Sequence, residues 1–154
     1  MPSSVLIDID ALRRTIPDYR EKRKESLRLS YKYATNDIEN QLRAGSDVIV
    51  DKTILQSEVI DTFVALAHMY GAEVIEFLLF AEKESVQKRA ADRGFKPGGM
   101  LTPEKVEELW DRADALRPQR TGAIVIDTTH SNPEEVFKII SEEVGLRNQP
   151  NWKE

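Results

Sequence analysis

Short apolar runs alternate with helix-period stretches along this chain. The runs consist mainly of β-branched and other aliphatic residues, and they cover residues 5–7, 48–50, 74–80 and 124–126. Apart from Glu76 they hold no polar residue, which is the pattern of strands that are buried on both faces. Since helical patterns separate the four runs, the sequence predicts an α/β domain built on a parallel sheet.

Apolar residues spaced three and four apart predict the helices between these strands. The stripes cover residues 27–42, 59–70, 106–113 and 136–144, and a further helix is predicted from about 82 to 93. Gly45 and Gly71 follow the first two stripes and supply stop signals. Trp110 lies on the third stripe, so its ring is predicted to pack against the core or a lid.

The segment between the third and fourth strands is long and has a glycine- and proline-rich centre. It covers residues 82–120, and its turn at 94–100 contains three glycines and one proline. A helical hairpin beside an open sheet edge fits either a mobile lid or a plain surface loop. We expect one domain over residues 1–145, with this segment as its lid insert, and a poorly ordered tail at 146–154.

Composition narrows the class of protein. Of the 154 residues, 40% are hydrophobic and 32% are charged, and the net charge of −5 does not suggest a broad polycationic surface for nucleic acid. Because there is no cysteine and there are two histidines, disulfides, thiolate sites and histidine-rich metal sites are excluded. The apolar runs are too short to span a membrane, and no signal-peptide pattern precedes the first strand. We therefore expect a cytoplasmic protein without a membrane partner.

Acidic residues stand at the ends of three predicted strands. Asp10 follows the first strand, Asp51 follows the second and Asp127 follows the fourth. In an open parallel sheet ligands bind outside the carboxyl ends of the strands, and Mg²⁺ with a phosphorylated ligand commonly compensates carboxylates there. The simpler interpretation is that each aspartate caps the next helix. For Asp127 we favour the cap, and for Asp10 together with Asp51 we favour a functional role.

Two pairs of residues carry the candidate chemistry. Asp10 and Arg13 are one helical turn apart, which suits a carboxylate that accepts a hydroxyl proton and a guanidinium that binds an anionic group. Arg89 and Arg93 share one helix face just before the glycine-rich turn, where arginines of a lid stabilise a transferring phosphoryl group. The alternatives are a helix cap with a surface charge for the first pair, and ion pairs with acidic residues of the same helix for the second.

Taken in order, these segments resemble the P-loop small-molecule and polynucleotide kinases, in particular the zeta-toxin-like and polynucleotide-kinase-like branch. The matching stretches read VLIDIDALRR, LRAGSDVIVDKT, ALAHMYGAEVIEFLLFAEKESVQKRAADRG and AIVIDTTHSNPEEVFKII. The resemblance implies a three-layer fold, in which helices cover both faces of a parallel sheet and a helical lid closes over it. It also implies ATP and Mg²⁺ as cofactors and a hydroxyl substrate, either a small molecule or a nucleic-acid end.

The resemblance assigns roles to the candidate residues. Asp10 matches the family's general base, and Arg13 matches its substrate-positioning arginine. Asp51 lies at the Walker-B-like strand end, where it would act on Mg²⁺ indirectly, near the nucleotide phosphates. Arg89 and Arg93 match the lid arginines that close over ATP, with Arg93 the better candidate for contact with the transition state.

One element of that family has no counterpart in this sequence. Its phosphate-binding loop reads G-x-x-x-x-G-K-[ST] after a strand, whereas the spacing from Gly94 to Gly99 follows a predicted helix and precedes Met100. In the family, the strand before that loop lies between the strands that match residues 48–50 and 74–80. Without it we expect two half-sheets with open inner edges, unless a second copy in a homodimer fills the gap or the neighbouring strands pair directly. We favour a truncated form over the homodimer.

Functions of different classes follow from these observations. The first is an ATP-dependent phosphotransferase that acts on a hydroxyl substrate and is weak or inactive without the phosphate-binding loop. The second is a non-catalytic, degenerate binding module that retains the fold. A hydrolase that uses the acidic strand ends with Mg²⁺ is a weaker third hypothesis.

Overall fold

Strands and helices alternate as the apolar pattern predicts. The computed structural model describes residues 4–97, 99 and 101–147, and the chain divides into unit 1 (1–74) and unit 2 (75–154). Unit 1 contains β1 (Ser4–Asp8), α1 (Ile9–Arg14), α2 (Arg23–Arg43), β2 (Asp47–Asp51) and α3 (Ser57–Met69). Unit 2 contains β3 (Phe77–Phe80), α4 (Lys83–Arg93), α5 (Pro103–Leu116), a 3₁₀ turn (Arg117–Gln119), β4 (Ile124–Asp127) and α6 (Pro133–Arg147).

The described strands pair as two parallel ladders. In unit 1, β1 pairs with β2 so that Asp8 stands opposite Asp51, and in unit 2, β3 pairs with β4 so that Phe80 stands opposite Asp127. Parallel pairing between strands separated by helices confirms the predicted α/β class. The two ladders are the half-sheets that we expected in the absence of a central strand.

Helices α2 and α3 cover one face of the ladder in unit 1. Ile7, Ile9, Ala34 and Ile38 form its buried core, and residues of α3 pack against this cluster. The opposite face carries the side chains of Leu6 and Ile49, which are 59% and 54% exposed. The prediction that these strands are buried on both faces was therefore wrong, because the described helices of unit 1 pack on one side only.

The helix ends agree with the stop signals in the sequence. Helix α2 ends at Arg43, and Gly45 follows it with φ of +75°, a left-handed conformation that glycine adopts at little cost. The amide of Gly45 donates to the Leu42 carbonyl at 3.0 Å, which satisfies one of the last carbonyls of the helix.

In the part of the chain that the structure describes, no helix combines the length and the hydropathy that a membrane span requires.

Strand β3 is shorter than the apolar run that predicted it. The run begins at residue 74, but the strand begins at Phe77, directly after Glu76. The carboxylate of Glu76 accepts two hydrogen bonds from Arg120, from Nε at 2.9 Å and from Nη2 at 2.6 Å. The two side chains are 23% and 10% exposed, so this charge, which interrupts the apolar run, is compensated within unit 2.

Trp110 packs as its place on the helical stripe predicts. Its ring lies 6.0 Å from the ring of Phe80, and its Nε1 donates to the carbonyl of Ala81 at 2.8 Å. The guanidinium of Arg117, just after α5, lies 4.3 Å from the centroid of the Phe80 ring. These contacts fix α5 to the end of β3.

Two predictions concern segments that the structure describes only in part. The predicted hairpin has α4 and α5 as its arms, but residues 98 and 100 of its turn lie outside the described residues. Helix α6 includes residues 146 and 147 of the predicted tail, and 148–154 lie outside the described residues. Whether the hairpin closes as a lid stays a prediction.

Candidate functional site

Asp10 lies in the first turn of α1, directly after β1. Its side chain is 53% exposed, and its carboxylate forms an ion pair with the ammonium group of Lys52, which is 11% exposed. The sequence did not reveal this contact, because the two residues are 42 positions apart. The carboxylate that the sequence predicts to be the base is therefore in contact with a nearly buried ammonium group.

The cap of α1 is Asp8 and not Asp10. The Oδ1 atom of Asp8 accepts a hydrogen bond from the amide of Ala11 at 2.8 Å, and the same carboxylate lies 3.7 Å from Arg14. An N-cap side chain accepts from one of the free amides of the first turn, and here that side chain is Asp8. The alternative in which Asp10 caps the helix is therefore wrong, and its carboxylate is available for another role.

Arg13 ties α1 to the beginning of α2. Its Nε donates to Oγ of Ser26 at 3.0 Å, and its Nη2 donates to the carbonyl of Arg23 at 2.8 Å. Ser26 is fully buried and donates in turn to the carbonyl of Tyr19 at 2.9 Å. The alternative in which Arg13 is only a surface charge is therefore wrong, because its hydrogen bonds join α1 to α2. A guanidinium carries five N–H donors, so the remaining ones can still contact an anionic group.

Asp51 ends β2 as an exposed carboxylate. Among the residues that the structure describes, no group of three or more acidic or histidine side chains could hold a metal ion. Mg²⁺ is usually held by one or two carboxylates together with substrate phosphates and water. Asp51 therefore fits the indirect role that the resemblance implies, and its action on Mg²⁺ stays a prediction.

In unit 2 the loop after β4 is fixed by its own hydrogen bonds. The Oδ1 atom of Asp127 accepts from the amide of Thr129 at 2.8 Å and from its hydroxyl at 2.6 Å. The same hydroxyl oxygen accepts from the amide of Glu82 at 3.0 Å, and the amide of Thr128 donates to the carbonyl of Phe80 at 2.7 Å. The carboxyl ends of β3 and β4 are thereby joined.

The prediction that Asp127 caps the next helix was wrong. Helix α6 begins at Pro133, and the residue before it, Asn132, accepts a hydrogen bond at its Oδ1 from the Glu135 amide at 3.0 Å. The carboxylate of Glu135 accepts in return from the Asn132 amide at 2.9 Å. This reciprocal pair is a capping box. The carboxylate of Asp127 therefore stabilises the loop after β4 and not the end of α6.

Hydrogen bonds from Thr129 lower the pKa of Asp127 from its ordinary value of 3.8, first through the hydroxyl and then through the amide. A carboxyl whose pKa is lower in the folded state stabilises that state above the ordinary value, and this contribution is lost as the pH falls through the lower value. We expect Asp127→Asn to lower the melting temperature at pH 7. The difference from the wild type should vanish in strong acid, and a difference that persists there would contradict this account.

The two arginines of α4 differ in their surroundings. The Nη2 atom of Arg89 donates to the carbonyls of Thr128 at 2.5 Å and Thr129 at 3.0 Å, so the alternative in which it pairs with acidic residues of its own helix is wrong. Arg93 is exposed and has no hydrogen-bond or ion-pair partner within residues 4–97, 99 and 101–147. Arg93 is thus free to contact a ligand.

A groove of about 490 Å³ opens beside Arg89 in unit 2. Its walls combine apolar side chains with polar groups, among them Leu79, Val136, Phe137, Thr128 and Asn132. Phe137 is 72% exposed and Leu79 is 56% exposed, so the apolar wall is open to solvent. The sequence identified Arg89 as a candidate site residue, but it did not predict the apolar side chains that line the groove beside it. The sequence signal was the polar run after β4 followed by an apolar helix.

Comparisons with known proteins agree with this architecture. The sequence model of the AAA domain family matches residues 2–116. The solved structure of the tunicamycin resistance protein of Deinococcus radiodurans is similar to this chain, with a TM-score of 0.62 and 20% identity over 94% of this chain and 84% of that one. No curated protein sequence matches. The chain belongs to the AAA domain family and has the nucleotide-binding, phosphotransferase-like fold of the P-loop kinases.

Proposed function

We propose that this chain is a member of the ATP-dependent phosphotransferases that act on a hydroxyl substrate, and that it is weak or inactive as written because the sequence contains no phosphate-binding loop. The observation that carries the proposal is the groove of unit 2, in which a guanidinium held by two carbonyls borders an apolar wall. Its volume of about 490 Å³ is in the range of sites for small molecules. A nucleotide base, which is flat and apolar on its faces and polar at its edge, suits that lining.

Arg89 is arranged so that binding costs little side-chain entropy. The carbonyls of Thr128 and Thr129 hold its guanidinium before any ligand arrives, and the hydrogen bonds of Asp127 hold that loop. A planar guanidinium can stack on a base and also attract phosphate oxygens. Arg93, one turn further along α4, has no partner among the described residues and would stabilise charge on the transferring phosphoryl group.

Within unit 1, Asp10 is the group that could act on an acceptor hydroxyl. The exposed carboxylate of Asp10 can accept a proton, and its ion pair with Lys52 fixes the direction of the side chain. The remaining N–H groups of Arg13 would position an anionic part of the substrate. ATP would supply the phosphoryl group, and Mg²⁺ would neutralise its charge with the indirect help of Asp51.

The second candidate is a non-catalytic binding module. It is favoured by the two intramolecular hydrogen bonds of Arg13 and by a sequence without G-x-x-x-x-G-K-[ST]. Such a module would bind a nucleotide in the same groove and transfer nothing. The two candidates therefore differ in phosphate transfer and agree on nucleotide binding.

Nucleotide binding is tested by titrating the chain with ATP and following backbone amide resonances. We expect a dissociation constant of about 1 mM, since the loop for the outer phosphates is lacking. The shifted amides should belong to groove residues such as Leu79, Asn132 and Val136. Phe137→Ala, at a side chain that is 72% exposed, should weaken binding on the order of fivefold without loss of stability.

The matched control is Lys88→Gln, which removes an exposed charge from the same helix as Arg89. It should leave ATP affinity unchanged, whereas Arg89→Gln should weaken it. If ATP shifts no amide of the groove, or if the control and Phe137→Ala weaken binding equally, the proposal fails.

A further inference from the structure

Basic side chains are concentrated in one stretch of unit 1. Residues 13–32 hold eight arginines and lysines and three acidic residues, in a chain whose net charge is −5. This stretch forms the end of α1, the following turn and the first half of α2. A positive surface on an otherwise acidic chain is typical of a site that binds a polyanion.

Three of these cations form a stripe along α2. Lys24, Arg28 and Lys32 are spaced four residues apart, which places them on one face at intervals of about 6 Å along the helix axis. All three are exposed, and none has a hydrogen-bond or ion-pair partner in the part of the chain that the structure describes. We call these three residues the cationic stripe.

The cationic stripe lies away from the buried side of α2. The buried residues Ser26 and Ser30 are each offset by two positions from the stripe, which is more than half a turn of the helix. The stripe therefore has no role in the core of unit 1. Its positions are also not explained by ion pairs that would stabilise an isolated helix.

A tyrosine and an arginine pair with each other in the turn before α2. The guanidinium of Arg20 lies 5.5 Å from the centroid of the Tyr19 ring, and its Nε donates to the Tyr19 hydroxyl at 3.0 Å. A tyrosine ring and a guanidinium are the two kinds of planar group on which unpaired bases stack.

We propose that this basic stretch binds a single-stranded nucleic acid, whose phosphodiester backbone lies along the cationic stripe. The stripe is about 12 Å long, which corresponds to roughly three or four phosphates of a stacked strand. A small phosphorylated molecule would contact one or two of these cations, so the length of the stripe favours a chain of phosphates.

The composition of this face argues against a lipid surface or an acidic protein. A helix that binds lipid places large apolar residues on the side that enters the membrane, and a protein interface needs apolar anchors. In the described residues of α2, the one large hydrophobic side chain that is well exposed is Tyr33, at 42%. Glu21 and Glu25 border the stripe but leave the stretch net positive.

This inference requires neither ATP nor group transfer, so it stands or falls independently of the proposed function. The test is the fluorescence polarisation of a labelled single-stranded oligonucleotide of about twelve nucleotides, as DNA and as RNA, over a series of salt concentrations. The test variant carries Lys24→Gln, Arg28→Gln and Lys32→Gln. We expect it to bind about 10- to 100-fold more weakly than the wild type, with a log–log salt slope smaller by about 2.

A variant with equal charge change serves as the control. Lys88→Gln, Lys96→Gln and Lys138→Gln remove three exposed charges from unit 2 and should change affinity less than threefold. Arg28→Gln alone should weaken binding several-fold, which keeps the test valid if the triple variant does not fold. Equal losses in the two triple variants, or wild-type binding to phosphatidylserine vesicles but not to the oligonucleotide, would overturn the proposal.

Discussion

Replacing Asp10 by asparagine is expected to lower phosphate transfer by about 10²- to 10⁴-fold, once the chain has been extended upstream by a strand, a G-x-x-x-x-G-K-[ST] loop and a helix. Asparagine keeps the size of the side chain but cannot accept the hydroxyl proton. Because Asp8 and not Asp10 caps α1, this substitution leaves the cap intact. The loss should therefore appear in kcat, measured with radiolabelled ATP, and the melting temperature is measured beside it because Lys52, which is 11% exposed, loses its counter-charge.

The control for this prediction is Asp47→Asn. Asp47 is an exposed aspartate at the beginning of β2, four residues before the carboxyl end of the strand. It should leave kcat within about twofold of the wild type, because neutralising an exposed charge away from the reacting groups has little effect. If Asp10→Asn retains full activity in the extended chain, Asp10 is not the base.

The largest loss of stability is expected from Glu76→Gln. The carboxylate of Glu76 and the guanidinium of Arg120 are mostly buried and joined by two hydrogen bonds, so the variant removes the carboxylate charge from this pair. Breaking a buried ion pair costs about 3–5 kcal/mol in the free energy of unfolding, and we expect the lower end of that range because Glu76 is partly exposed. Urea denaturation followed by circular dichroism measures that change.

An exposed ion pair of unit 2 provides the comparison. Lys138 and Glu142 lie 3.9 Å apart, with side chains 77% and 62% exposed. Glu142→Gln should lower the free energy of unfolding by less than about 0.5 kcal/mol, because solvent screens the pair. Similar losses from the two substitutions would show that burial of Glu76 is not what makes its ion pair important.

Local rules were enough to predict the elements of the fold. Periodicity located the helices, and glycine after a helical stripe located the end of α2 at Arg43, because both signals depend on residues close in sequence. The single charge within an apolar run, Glu76, was a sign that a partner must exist. Its partner Arg120 is 44 positions away, and no local pattern identifies it.

The candidate site was predictable in its residue types but not in its contacts. Asp8 and Asp10 both follow β1, and only the backbone geometry shows that Asp8 is the cap. The hydrogen bonds of Arg89 reach a loop about 40 positions away, so sequence spacing alone suggested nearer acidic partners. Exposure of Leu6 was also unforeseen, since an apolar run does not state which face of a strand is covered.

The most direct test of the proposed phosphotransferase is to compare this chain with the same chain extended by the strand, phosphate-binding loop and helix. Both forms are incubated with ATP, Mg²⁺ and a panel of hydroxyl acceptors that includes nucleotides, sugars and oligonucleotide ends. We predict that the extended chain transfers the γ-phosphate to an acceptor and that the shorter chain is at least 100-fold slower. An extended chain that binds ATP but transfers phosphate to no acceptor would contradict the account.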